Sequence, residues 1–510
     1  MKALDLIIIF GYLIGIVLFG TWFGRKQKTT SDYFLGDRSV PWWAVAFSIV
    51  ATETSTITFI SVPGIAFARG GNFQFLQLVF GYLLGRIVIS LLFIPSYFRG
   101  ELLTVYQLLD RRFGGKIKVL AATLFVVMRN IADGIRLLLT AIVLAAVYSS
   151  FQPAANVEAI TIASIVLIGV AMIVFTYFGG MEAVIWVEVV QLGIYIAGAV
   201  AAAAILIHSI DGGLASATAL GSQYSKFSLF DFSLDVTKTF TFWSGLIGGC
   251  FLTMSTHGTD QYLVQRYLCT DRPRSAIVAL LTSGAIVLAQ FIGFLFIGVL
   301  LFAFYHPYTD AGYLTASSAA FPFTGGDRVF PDFITNHLPT GLSGLVVAAI
   351  FAAAMSSSLN SIAATAVNDL YRPLRPQQTD KHYLKVSHVL TLIWGIVQIG
   401  VALIVRHQSR SALDQALSIA SLINGPVLGV FLVGTFLRRV SQPPALIGML
   451  VSIVAMLYIY FATRIAWTWY VLLGSLITLV AAWLASFAFA PAPLSKRDEL
   501  APAVATDDSI

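Results

Sequence analysis

The stretch "FSIVATETSTITFISVPG", Phe47 to Gly64, decides how this chain is read. Apolar residues flank it on both sides. Thr52, Glu53, Thr54, Ser55, Thr56 and Thr58 crowd its middle, and Pro63-Gly64 follows. The chain of 510 residues is 58% hydrophobic and only 11% charged, with a mean hydropathy of +0.84. A soluble core cannot hide that much apolar surface, so the chain reads as an all-α polytopic membrane protein. A transmembrane barrel would show short alternating segments. Here the runs are continuous and about 20 residues or longer, the length of a spanning helix. Six polar side chains and a helix breaker at bilayer depth therefore need a reason of their own.

Thirteen apolar runs can be read, at 3–23, 41–68, 72–97, 117–149, 157–178, 182–208, 240–266, 275–304, 341–371, 383–405, 413–437, 443–463 and 467–489. The first is too long for a signal peptide and no small-residue cleavage site follows it, so it is expected to stay as a helix. One set of connecting loops holds 20 Lys and Arg, from Arg25 to Arg497, and the opposite set holds 8. That asymmetry places the richer set in the cytoplasm, the amino terminus outside and the tail 490–510 inside. A plasma membrane, most simply a bacterial inner membrane, is the expected location. Topology accounts for the net charge of +6, and charges scattered over loops argue against nucleic acid.

Cys250 and Cys269 form neither a disulfide framework nor a metal spacing. No Walker sequence or soluble domain is present, and the loops 209–239 and 305–340 read as external lids. A membrane-embedded enzyme would need a metal triad, a Ser–His pair or closely spaced carboxylates, and none is found. The chain is read as a single transmembrane domain, 1–510, that is not an enzyme.

Five stretches carry a resemblance. They are ATETSTITFISVPGIAFARGGN (51–72), LLTVYQLLDRRFGG (102–115), YFGGMEAVIWVEVVQ (177–191), GTDQYLVQRYLCT (258–270) and AAIFAAAMSSSLNSIAATAVNDLYRP (348–373). Together, in this order, they resemble the sodium/solute symporter family. The resemblance implies a 5+5 inverted repeat: residues 1–24 as an extra helix, 41–208 as one repeat, 240–437 as its inverted copy, and 443–489 as two closing helices. It also gives the opening stretch a purpose. Secondary transporters bind ions and substrate near the midplane, where a helix is interrupted and its carbonyls become ligands. A hard cation prefers such oxygens. The competing reading, that Ser and Thr bond back to their own helix, is the ordinary one for a lone hydroxyl.

By the resemblance, the main sodium site would use Ala51 and Thr54 on the second span with Ala353, Ser356 and Ser357 on the ninth. Here the sequence departs from the family. AAAMSSSLNS is three residues shorter than the family pattern, which shortens a helix by roughly 4.5 Å and turns its lower half by roughly 60°. Asn360, Ser361 and Asp369 could lose their phase. The family's second cation site, an aspartate on the sixth span with further serines, would fall here on Glu188 and Ser358. Glu53, Asp133 and Glu188 are acids at membrane depth, so proton coupling is the alternative to sodium.

The substrate pocket resembles that of sialic-acid symporters within the family. Ser55 and Thr58 share a helix face at i, i+3, and Phe73 and Gln77 do so at i, i+4. The fourth span carries Arg129, Asp133 and Arg136 along one face, two cations against one acid. The surplus charge points to an anionic solute, with Arg129 first and Arg136 in reserve. Arg86 is a further cation that could instead pair with Glu53. His257, Asp260 and Gln261 are expected to close the seventh span, with Arg266 as inner packing. The reading is a symporter in which sodium entry drives uptake of a small organic solute, a sugar acid or similar anion. Partners are the solute, sodium and the lipid bilayer, with no nucleic acid and no obligatory protein partner. Proton-coupled or sodium-independent transport, a neutral sugar, polyol or vitamin as cargo, and a non-transporting receptor or scaffold are the rivals.

Overall fold

The computed structural model describes residues 2–24, 27–100, 102–152, 156–305, 308–309, 312–313, 326–355, 358–408, 418, 422–493 and 500. Among them the regular structure is helical, apart from a two-residue strand pair in the loop after the eighth span, Tyr308–Thr309 against Gly312–Tyr313. Seven helices are long and apolar enough to cross a membrane, and an eighth span is a pair of helices bent by 59°. The remaining runs are helices with a complication. The fourth, Gly115–Phe151, carries its charges at depth. The seventh is broken, the ninth is described as Leu342–Met355 and Leu359–Thr365, and the eleventh falls only partly on described residues.

The fifth and sixth spans form one element, Val157–Ser209, folded sharply at Gly180 with φ 62° and ψ −164°. A side chain there would be strained by its backbone conformation, and its Cβ would meet Tyr33 O at 2.7 Å. Glycine therefore permits the reversal without a loop.

The break in the second span falls in its hydroxyl cluster and not at the proline that follows. The first half, Trp42–Glu53, ends with Thr54 N donating to Val50 O, and the second, Thr56–Phe67, starts with Phe59 N donating to Ser55 O. Pro63 sits inside the second half without interrupting it. Its freed region is covered by the eighth span, where a Cβ on Gly298 would stand 2.2 Å from Pro63 O. The breaker is thus Thr54–Ser55, not Pro63-Gly64.

Loops that the sequence assigns to one side meet one another. On one face Asp5 of the first helix accepts from Gly341 N, Gly344 N and Ser343 Oγ at 2.7–3.1 Å, which fastens that helix to the start of the ninth span. On the same face Lys226 Nζ donates to Phe67 O at 3.2 Å and Ala68 O at 2.7 Å, capping the second span from the loop 209–239. On the opposite face Arg38 reaches Leu102 O, and Thr30 binds Asp380. The alternation of sides read from the apolar runs agrees with these contacts.

Burial lowers the Lys226 ammonium from its ordinary 10.5 to about 8. The folded protein therefore carries a disfavoured charge below that value, and sheds the proton at a pH where the unfolded chain still holds it. Stability from this group is expected to rise between pH about 8 and 10.5. Thermal melts should show the wild type gaining roughly 2 °C or more over Lys226→Met across that window; parallel curves would refute the assignment.

Candidate functional site

A cavity of about 550 Å³ opens where the second, fourth and seventh spans meet. That volume suits a small organic solute. Its polar wall includes Thr52, Glu53, Thr58, Arg129, Arg136 and Asp260, and Phe75, Phe125, Phe291 and Tyr262 supply apolar surface.

At the break, three hydroxyls take local partners. Thr52 Oγ1 donates to Ser48 O at 2.8 Å, Thr54 Oγ1 lies 2.7 Å from Val50 O, and Ser55 Oγ caps the next helix by accepting from Thr58 N at 3.3 Å. Ser55 and Thr58 do share a face, with their hydroxyls 3.2 Å apart. The carbonyls of residues 51–54 fall between the two hydrogen-bond ladders, and that of Glu53 receives the Thr58 hydroxyl at 3.2 Å. Gln290 of the eighth span, which the sequence reading missed, stands 3.0 Å from Thr54 Oγ1. Ala51 and Thr54 thus flank interrupted backbone. Of their expected partners, Ser356 and Ser357 lie outside the described residues, and so does the side chain of Ala353.

The four residues expected to make a second cation or proton site do not come together. Glu53 faces Arg86 and His257 Nε2, with Arg86 1% exposed. Glu188 is held by Arg266, Ser48 and Thr52, and both it and Arg266 are buried. Only Asp133 and Ser358 meet: the Ser358 hydroxyl and backbone N–H both donate to Asp133 Oδ2, the latter at 3.1 Å. Arg266 is therefore a counter-ion, not mere packing. His257 is the second partner of Glu53 and does not close the seventh span. That span breaks at Thr259–Asp260 and resumes as Gln261–Leu268, with Asp260 Oδ1 accepting from Tyr262 N. Gly258 followed by Thr-Asp was the signal for this break.

The charge count on the fourth span also needs correcting. Asp133 meets Arg136 at 3.4 Å, while Arg129 reaches across to Asp260 at 3.4 Å and lies over the Tyr262 ring. Asp260 supplies the missing acid, so no surplus charge is left along that helix. What is left is a donor: Arg129 Nε is buried and has no hydrogen-bond partner among the described residues. Phe73 and Gln77 are not at the cavity wall. Phe73 packs on Phe227, and Gln77 is fully buried, with its amide bonded to Gln74 O, Phe240 O and Asp231 N.

Two broken spans, the second and the seventh, stand five apart and face one cavity. This is the architecture of an inverted-repeat secondary transporter. The chain belongs to the sodium:solute symporter family, whose model matches residues 33–452. It is similar to the sodium/sialic acid symporter NanT of Aliivibrio fischeri, 31% identical over 94% of this chain and 92% of the relative. The sodium/sialic acid symporter SiaT of Proteus mirabilis is 30% identical over 96% of each chain. A solved Na+-coupled sialic acid symporter in a substrate-bound outward-open state superposes with a TM-score of 0.84 at 30% identity, covering 96% of this chain and 99% of that one. The protein is a multi-pass membrane symporter, not an enzyme, and sodium is its coupling ion.

Removing one partner of the Arg266–Glu188 pair leaves a charge buried, at a cost of about 3–5 kcal/mol. Arg266→Met should lower the melting temperature strongly, and Arg266→Met with Glu188→Gln should recover most of the loss. Equal melting of single and double variants would show that the pair does not act as one.

Proposed function

We propose that this chain imports a sialic-acid-like sugar acid on an inward sodium gradient. The observation that carries the reading is Arg129, whose buried Nε donor stands at the wall of the cavity beside the broken second span. Its contact with Asp260 at 3.4 Å is long for a charge-assisted bond, which is ordinarily about 2.7–2.9 Å. A ligand carboxylate can therefore take up the guanidinium with little to displace. Thr58 and Thr52 offer hydroxyls to a polyhydroxylated body, and Tyr262 and Phe291 offer apolar faces. Neighbouring relatives bear the names of sialic acid symporters, which agrees with this choice of anion.

Sodium sits between the carbonyls of Ala51 and Thr54 and the ninth-span set Ala353, Ser356 and Ser357. The link between solute and ion runs through Asp133. It holds Arg136, which lines the cavity, and it also holds Ser358, which starts the second half of the ninth span. An anion that draws Arg136 away changes the hold of Asp133 on the cation-bearing helix. Ser55, Phe73 and Gln77 form the outer end of the site when it opens towards the external side. The division into 1–24, 41–208, 240–437 and 443–489, the external amino terminus, the cytoplasmic tail and the bacterial inner membrane complete the reading.

Purified protein in sodium buffer should melt at higher temperature with N-acetylneuraminic acid, because a ligand that binds the folded state stabilises it. Arg129→Ala should bind the acid about 10- to 100-fold more weakly with the fold intact, the loss expected for a hydrogen bond to a charged group. Stabilisation by neutral hexoses and not by acids would reject the arginine assignment. In proteoliposomes uptake should need the sodium gradient. A proton symporter would ignore that gradient, and a scaffold would accumulate nothing.

A further inference from the structure

A second polar cluster lies buried in the ninth span, on the side that the loop charges assign to the cytoplasm. Asp369 sits in a π-helical turn, Ala366–Tyr371, with no exposed surface. Its Oδ1 accepts the Thr104 hydroxyl at 2.8 Å, and its Oδ2 has no protein partner among the described residues. Thr365 Oγ1, just before that turn, and Asn368 Oδ1, within it, are also buried without partners among the described residues. Lys118 is within Coulomb range, but it is held by Asp110 at 2.5 Å. Glu53, Asp133 and Glu188 each face an arginine; among the described residues Asp369 is in no ion pair with one. An uncompensated carboxylate at depth is costly and by default functional. π-turns themselves occur often at functional sites.

The position of Asp369 matters as much as its charge. Tyr106 lines the arginine cavity and stands within Coulomb range of Asp369 as well as of Arg129 and Asp260. Its chain neighbour Asn368 lines a second pocket of about 450 Å³, together with Gln107, Asp110, Lys118 and Arg372. Asp369 thus stands in the partition between the central cavity and the cytoplasmic surface.

We infer that Asp369, with Thr104 and the Thr365 and Asn368 oxygens, is an inner relay site for a monovalent cation on its way to the cytoplasm. The inference rests on the sidedness of the proposed function, not on its solute. One carboxylate with neutral oxygens suits a singly charged hard ion. In the inward-facing state the ion released between the second and ninth spans pauses at Asp369 before it is rehydrated in the pocket. Sodium on the cytoplasmic side competes for the same place.

The test uses full-length protein in proteoliposomes of one orientation and measures the entry of radioactive sodium, which requires no organic solute. Internal sodium inhibits that entry. Asp369→Asn should raise the internal sodium concentration for half-inhibition about tenfold while leaving half-activation by external sodium within about twofold. Unchanged responses on both sides, or equal shifts on both, would overturn the inference. If Asp369→Asn does not fold, Thr104→Val must show the internal shift, and a Thr104→Val response equal to wild type overturns it. A variant that loses its response to internal pH while its internal sodium response is unchanged would assign the site to a proton and reject the relay of sodium. Normal one-sided sodium behaviour without sugar-acid transport would leave this inference standing and reject the proposed solute.

Discussion

Every backbone polar group inside a bilayer must find a partner within the protein, and the interruption at Thr54–Ser55 is where this chain suspends that rule. The helix stops after the bond from Thr54 N to Val50 O, and Ser55 caps the next one. The local hydroxyls reduce the cost of the break without abolishing it. The carbonyls of residues 51–54 fall between the two ladders, and among the described side chains Thr58 takes that of Glu53. The rest of the molecule serves to keep these atoms out of lipid. The eighth span packs Gly298 against Pro63 so that the second half of the broken span stays helical, and Gln290 reaches the break itself.

Charge at depth obeys the same constraint, solved mostly between spans, with Asp133–Arg136 as a pair along one helix. Glu53 of the second span is met by Arg86 of the third and His257 of the seventh. Glu188 of the sixth is met by Arg266 of the seventh. Arg129 of the fourth is met by Asp260 of the seventh. The seventh span supplies a partner in all three cases, so a movement of its broken middle would touch every one of these contacts. In water such pairs would be worth little. In a membrane their loss strands a charge, which makes them firm fasteners and selective hinges at once.

Much of this is legible in the sequence, and the failures have a common cause. Apolar run length locates the spans, because bilayer thickness fixes it. The hydroxyl cluster locates the functional break, and the pairing of Arg86 with Glu53 is one of the options the sequence offers. Partners that lie far apart in sequence are not legible. Intrahelical spacing suggests that Arg129 and Arg136 share Asp133, whereas Asp260 is 131 positions away and claims Arg129. Gln77 looks like a pocket amide because its helical face is right. Its burial against Phe240 and Asp231 depends on the loop before the seventh span, whose path no periodicity reveals. Pro63 reads as a breaker by propensity, and packing overrules it.

The shortened ninth span brings these strands together. Losing three residues should rotate Asn360, Ser361 and Asp369 out of phase, yet all three are buried. Two features mark the second half of this span. It restarts at Leu359 behind Ser358, which Asp133 anchors, and it then widens into a π turn over Ala366–Tyr371. A π turn closes its hydrogen bonds one residue later than an α turn, as Arg372 N to Val367 O shows, and so it re-phases the residues beyond it. The fourth span therefore fixes where the second half of the ninth begins, and the π turn sets where its acid points. A solute anion can change the cation's hold only through an element that contacts both. Asp133, between Arg136 at the cavity and Ser358 at the start of the second half of the ninth span, makes the two contacts that the proposed coupling requires.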